Sequence, residues 1–276
     1  MKEFVELRIY KKYAHLLLSR NEGRDLGQYI VIEIPVYDDR LIKVKRLNEE
    51  IKSKYNDFLF LYSEVKRKYS RGEIEGAELL HLRIKKSFEP SGEECGTLYD
   101  EISACEICGA NRKQVTPLKL KKGTIPNLDI AKTIGGEVVV SSKFAGALAK
   151  WGLKGISLKP IGNGETDFYQ LVALCEVELS TKTLVGINAF DLSAECESEV
   201  YKCPCGVSIG LNLLSEAYIL RNSLVNSYDF MVSKQRIGLK RGLLRPEPLY
   251  FCSPTFRKMI EVEKINGFNI EIARLE

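Results

Sequence analysis

The chain has 276 residues, 45% of them hydrophobic and 28% charged, the balance of one large or two ordinary globular domains with a real core. Its apolar runs fall far short of the roughly 20 residues that cross a bilayer, which argues against a membrane span. The net charge of +4 is well below that of a dedicated nucleic-acid-binding domain.

That excess lies in residues 1–90, which hold 19 Lys/Arg against 15 Asp/Glu, whereas the remainder holds 22 of each. Much of it sits in KVKR (43–46) and KRK (66–68), read here as a solvated helix face. The N-terminus, MKEFVELRIYKKYAHLLLS, is interrupted by charge and lacks the apolar stretch of an export signal. Eight cysteines without such a signal point to reduced thiols in a cytoplasmic protein, some of them metal ligands, rather than to disulfides.

In chain order, residues 4–36 read as strands (FVELRIY, AHLLLS, YIVIEIPVY). Leu47, Ile51, Tyr55, Phe58, Tyr62, Val65 and Tyr69 then recur at three- and four-residue spacing, the stripe of one continuous amphipathic helix. Ser70 and Glu73 form a capping box that opens a short helix. Leu80, Leu82 and Ile84 alternate with His81 and Arg83 as a strand, which leaves His81 on the surface. The turn-rich PSGEECG (90–96) marks the expected boundary between an N-terminal α+β domain, 1–90, and a sheet domain, 91–276.

The second domain contains an internal repeat. VVVSSKFAGALAKWGLKGISLKPI (138–161) aligns without gaps to YFCSPTFRKMIEVEKINGFNIEIA (250–273). Ser141 matches Ser253, Phe144 matches Phe256, and Gly155 matches Gly267. Each copy reads as a strand, a Ser N-cap, a short amphipathic helix, a glycine turn and a strand. In the second copy Pro254 takes the first helical position. The two copies are expected on one shared sheet, with Cys252 a buried thiol at a core strand position. The whole is therefore α+β.

CEICG holds Cys105 and Cys108, and CPCG holds Cys203 and Cys205. A Cys-x-x-Cys-Gly turn presents two sulfurs on one side, and two such turns complete a tetrahedral thiolate site for structural zinc. The second turn is one residue short, so Cys95 or the more distant Cys196 stays open as a ligand in its place. Cys175 lies in the strand-like LVALCEVEL and reads as core. A thioredoxin-type redox pair is disfavoured, because the polar GANRKQVTPL after Cys108 is no helix. Only His15 and His81 are available as imidazole ligands, and neither lies near a cysteine pair. No phosphate loop or GxSxG elbow is present, so no catalytic residues are assigned. GLKRGLLRPEPL (238–249) gathers Lys240, Arg241 and Arg245 in what reads as an exposed loop.

Taken together, the Ser-x-x-Phe…Leu…Gly-Leu-Lys-Gly-Ile segment, the paired CEICG and CPCG turns and the closing DFMVSKQRIG…LLRPEPLYFCSPTFRKMI resemble bacterial double-CxxCG-motif proteins. Those are grouped with the immunity proteins of polymorphic toxin systems. The resemblance covers roughly residues 88–276, and the shortened second turn departs from it. It implies a non-enzymatic protein that binds and blocks a cognate toxin, with the N-terminal domain as an accessory part of the toxin-facing surface. The alternative is a zinc-ribbon nucleic-acid-binding module that uses Lys43, Lys45, Arg46, Lys66, Arg67 and Lys68. The zero net charge of the cysteine-bearing region counts against it.

Overall fold

The computed structural model describes residues 1–162, 167–186, 202–210, 212–225, 227–238 and 240–276. It is α+β throughout, as the sequence implies. Residues 2–68 form a four-stranded antiparallel sheet in the order Arg24–Asp25, Tyr29–Pro35, Lys2–Tyr10, Phe60–Lys68. The helix Arg40–Tyr55 joins Tyr29–Pro35 to Phe60–Lys68 and buries Leu41, Val44, Leu47 and Ile51 against Val5, Leu7, Ile9 and Ile34.

Two expectations for this part are corrected. AHLLLS is not a strand: Lys11–Ala14 is a single helical turn followed by turn residues. The long helix also stops at Tyr55, where Asn56 adopts a left-handed conformation (φ 49°) that Asn tolerates better than most residues. Beyond it Val65 and Arg67 are buried on alternate positions of a strand, so KRK (66–68) lies on a sheet and not on a helix. The capping box at Ser70 and Glu73 forms as read, opening Arg71–Glu75.

The chain changes sheets before residue 90. Leu79–Ile84 pairs with Phe268–Leu275 on one side and Glu247–Cys252 on the other, deep in a seven-stranded sheet of otherwise C-terminal strands. His81 is therefore buried, not on the surface as its alternation implies, because both faces of this sheet are covered.

The internal repeat is far longer than the aligned segments, and its copies lie in two sheets, not one. Within the five-stranded sheet four strands run in the order Ile156–Pro160, Phe168–Ala173, Val138–Ser141, Ile130–Thr133. Within the seven-stranded sheet the four equivalent strands run Phe268–Leu275, Leu79–Ile84, Glu247–Cys252, Phe230–Ile237. Registers coincide: Leu171 faces Leu158 as Leu82 faces Ile270, and Val139 faces Gln170 as Phe251 faces His81. Each repeat thus runs, in chain order, as a strand pair, a cysteine turn, two strands, a helix and a strand, over 79–160 and again over 168–275.

The opening strand of each repeat is exchanged. Leu79–Ile84 of the first lies in the sheet of the second, and Phe168–Ala173 of the second lies in the sheet of the first. The short strand after each crosses back: Ser87–Phe88 pairs in parallel with Ile130–Thr133, and Glu176–Val177 with Phe230–Ile237.

Both repeats share one core. Phe144 and Phe256, each fully buried on equivalent helix faces, meet with ring centroids 6.2 Å apart. Ser141 and Ser253 cap the two helices, their hydroxyls accepting from the Phe144 and Phe256 amides. Asp129 accepts from the Ser141 hydroxyl of its own repeat and from the Asn266 amide of the other. Asp229 does the same with Ser253 and Lys154. The turn glycines make reciprocal close approaches. A Cβ at Gly155 would lie 2.1 Å from the Phe230 carbonyl oxygen, and one at Gly267 2.2 Å from that of Ile130.

Candidate metal centre

The cysteine turns belong to the duplicated plan. In the first repeat, Tyr99–Asp100 pairs with Lys113–Gln114 to make a small hairpin whose tip is the CEICG turn. In the second, Val185–Gly186 pairs with Asn212–Leu213 in the same register and carries CPCG. The hairpin bases match down to single bonds. Leu98 accepts from the Val115 amide as Leu184 accepts from that of Leu214, both at 2.9 Å. Thr97 and Thr183 likewise bridge to Lys119 and Tyr218.

The shortened second turn is accommodated without loss of shape. The Cys105 amide donates to the Ala110 carbonyl at 2.8 Å, and the Cys203 amide to that of Ser208 at 2.7 Å, so both loops close five residues on. The residue missing between Cys203 and Cys205 reappears after the glycine, as Val207. Gly109 and Gly206 both take φ near +70° (71° and 72°), which Gly reaches without the Cβ clash of other residues.

These turns bring the four predicted sulfurs, Cys105, Cys108, Cys203 and Cys205, within 4.8 Å of one another. Across the two repeats, Cys105 Sγ lies 3.5 Å from Cys203 Sγ and Cys108 Sγ 3.7 Å from Cys205 Sγ. A disulfide would need about 2.05 Å, whereas sulfurs on a tetrahedron with bonds of about 2.3 Å stand about 3.8 Å apart. The spacing is that of four separate ligands able to hold a metal ion. Cys95 is half-buried and outside this group. Cys196 lies outside the described residues. Cys175 and Cys252 are buried in strands or beside them, and burial pushes the Cys252 thiol up to about 12.

The four thiols are electrostatically unequal. Backbone N–H groups, that of Cys108 foremost, draw Cys105 down to about 6. Burial pushes Cys108 up to about 12 and raises Cys203. At Cys205 burial acts upward as well, but the amides of Val207 and Ser208 outweigh it and the thiol is lowered. A coordinated divalent cation ionises such thiols outright and leaves a four-thiolate site with net charge of about −2.

The segment GLKRGLLRPEPL, an exposed loop by its composition, instead reaches this site. A Cβ at Gly109 would lie 2.8 Å from Arg245 Cδ and 3.3 Å from Lys240 Cδ, so both stems pack on the first cysteine turn. The Arg245 side chain is only 12% exposed. Its guanidinium donates to the carbonyls of Gly242 and Leu244 and lies near Glu93. No spacing rule in the sequence links this loop to residues 105–109.

The basic residues of residues 1–90 are largely engaged. Arg67, 1% exposed in its side chain, bonds Glu3, Glu271 and the Leu214 carbonyl, and so ties three segments together. Lys66 pairs with Glu6, Lys68 with Glu33, and Arg46 with Glu50. Among the described residues no helix is long and apolar enough to cross a membrane. Comparison with protein-family models, with curated proteins and with solved structures returned no match.

Proposed function

We propose that this chain is a zinc-stabilised, non-enzymatic binding protein that neutralises a cognate bacterial toxin by occluding it. The observation that carries the structural part is the convergence of Cys105, Cys108, Cys203 and Cys205 from equivalent turns of two repeats. Zinc is the ion that four thiolates in tetrahedral array suit best. Such a site offers water no open position, so its work is to hold the repeats together and not to activate a nucleophile.

The binding role rests on the resemblance of residues 88–276 to double-CxxCG immunity proteins. It is supported by the engagement of Lys66, Arg67 and Lys68 in ion pairs, which weakens a nucleic-acid role for that segment. The test has two parts. Elemental analysis of protein purified without chelator should find about one zinc per chain; a folded, metal-free chain overturns the metal assignment. Expression of the toxin gene beside this one should arrest a test bacterium, and co-expression of this chain should restore growth with a one-to-one complex. Failure of rescue, or a catalytic turnover by this chain that survives zinc removal, overturns the binding role.

A further inference from the structure

The seven- and five-stranded sheets each carry a cavity in the same place. One, of about 310 Å³, is lined by His81, Leu82 and Tyr250; the other, of about 340 Å³, by Gln170, Leu171 and Val138 at the equivalent positions. Val65 and Arg67 of the N-terminal sheet bound the first, and its polar groups are matched there. Arg67 bonds Glu271 and the Leu214 carbonyl, Arg83 bonds Glu64 and Glu271, and His81 Nδ1 faces Glu271 at 3.8 Å. The second lies where the five-stranded sheet, the first cysteine hairpin and the 238–249 loop meet, and there positive charge is left over. Arg236 and Arg245 both line it, and the Nε of each is buried with no hydrogen-bond partner.

The carboxylates around this cavity do not answer those donors. Glu247 is held by Lys132, and Glu137 accepts from the hydroxyls of Tyr99 and Thr133. Arg112, the third guanidinium of the wall, is the one that Glu93 and Glu101 neutralise. Arg245 spends Nη1 on the carbonyls of Gly242 and Leu244 and stands 3.9 Å from Glu93 through Nη2. Glu176 is exposed. Among the described residues no hydrogen bond or ion pair engages the Arg236 guanidinium. Where the first cavity has Glu271, the strand beside Gln170 carries Lys159. A buried guanidinium donor without an acceptor is costly to keep. Two of them in one cavity of ligand size point to an acceptor that binds there.

We propose that this cavity is a binding site for a phosphate dianion carried by a small organic molecule, with Arg236 and Arg245 as the residues that hold it. A planar guanidinium matches two phosphate oxygens at once, and two such groups balance a charge of about −2. The apolar floor of Val138, Leu171, Val232 and Tyr250 offers surface to the organic body. A volume of about 340 Å³ suits a metabolite and is too small for a protein segment or a nucleic-acid strand. This site is separate from the toxin-binding role proposed above, and neither depends on the other.

The test is calorimetric titration of the full-length, zinc-loaded chain with inorganic phosphate and with glycerol 3-phosphate, at fixed ionic strength. Both should saturate one site per chain, the ester more tightly; equal affinities keep the site and assign it to free phosphate. Arg236→Gln should weaken binding at least tenfold. Lys85→Gln, in the basic groove beside the N-terminal sheet, should leave it unchanged. In phosphate-free buffer Arg236→Gln should retain its zinc and melt at or above the parent temperature, because it removes a buried donor that has no partner. Absence of saturable binding at millimolar phosphate overturns the proposal. So does an equal loss from Lys85→Gln, which would mean diffuse attraction to surface charge. A fall in the phosphate-free melting temperature of Arg236→Gln, with phosphate affinity intact, would make Arg236 a structural residue and overturn it as well.

Discussion

Residues 79–160 and 168–275 are built on one plan, and the positions where they agree differ in kind from those where they diverge. Agreement is closest where one repeat touches the other: the exchanged strands, the two aspartates, the turn glycines, the stacked phenylalanines and the paired sulfurs. The outer apolar faces agree as well. Phe88, Leu118, Leu120, Ala131, Val139 and Ile161 occupy the positions of Val177, Ala217, Ile219, Met231, Phe251 and Ala273. Divergence appears where a repeat meets something else. Gln170 and the exposed Lys159 of the five-stranded sheet stand where the seven-stranded sheet has the buried His81–Glu271 pair, at which Arg67 of the N-terminal sheet makes its contact. The comparison teaches that the duplicated plan is an interlock between halves, and that its asymmetry locates the neighbours.

The interlock is most exposed to attack at the candidate metal centre, where each repeat gives two sulfurs. Cys105→Ser and Cys203→Ser should each abolish stoichiometric zinc and cost more than about 5 kcal/mol, since metal binding is coupled to folding. For a chain of this size that is a fall of roughly 10–20 °C in melting temperature. Equal losses for the two variants are expected from the symmetric geometry. Cys95→Ser, outside the cluster, should leave zinc content unchanged, and loss of metal from it would reassign the ligands.

Next in size come the glycine turns. Gly155→Ala and Gly267→Ala each force a methyl group to within about 2 Å of a backbone carbonyl oxygen, at φ of 102° and 108°. No side-chain rotation relieves a clash with backbone. Each should cost about 3 kcal/mol or more, read from urea unfolding, and by similar amounts. A near-neutral result at either site would break the equivalence of the two turns.

The phenylalanine pair sharpens the comparison, because its members touch. Phe144→Ala and Phe256→Ala should each destabilise by about 3–5 kcal/mol. The double variant should fall short of their sum by about 0.5–1.5 kcal/mol, the coupling of two rings in contact. Strict additivity would mean that the two helices do not share one core.

How much of this was legible beforehand follows from what sequence patterns encode. Ser141, Phe144 and Gly155 announced their partners because a helix cap, a core face and a glycine turn each demand particular residue types at fixed spacing. The four cysteines were legible for the same reason. The remainder of the repeat was hidden because its offsets change, from 89 at the opening strands to 98 at Cys105 and Cys203 and 112 beyond, as loop lengths differ. Strand exchange has no local signature at all, since Leu79–Ile84 has a strand's pattern whichever sheet receives it. The misread helix past Tyr55 shows the converse failure. Tyr62, Val65 and Tyr69 fell on helical spacing by coincidence, while the break was set by Asn56 and by the pairing of Phe60–Lys68 with Lys2–Tyr10.

The smallest expected effect tests the asymmetric side of the comparison, at Glu271. Burial alone would push its carboxyl up, but the His81 ring and the Arg83 guanidinium beside it hold it at about 2, from an ordinary 4.5. Arg67 lies 3.3 Å from the same carboxylate, and Arg83 reaches it at 2.7 Å. A carboxyl depressed in the folded state binds its proton more readily when unfolded. Its contribution is therefore fully present above about pH 4.5 and is lost as pH falls toward 2. The contribution is on the order of 2–3 kcal/mol. Other depressed carboxyls, Asp57 and Glu73 among them, titrate in the same window, so the measurement is a difference. Urea midpoints of the parent and of Glu271→Gln, followed from pH 6 to pH 2.5, should differ most at pH 6 and converge in acid. Lys159→Gln, at the equivalent position of the first repeat, should show no such convergence, because that site faces solvent and holds no buried ion pair. Parallel pH profiles for parent and Glu271→Gln would show that the contact with the N-terminal sheet is held by its apolar residues alone.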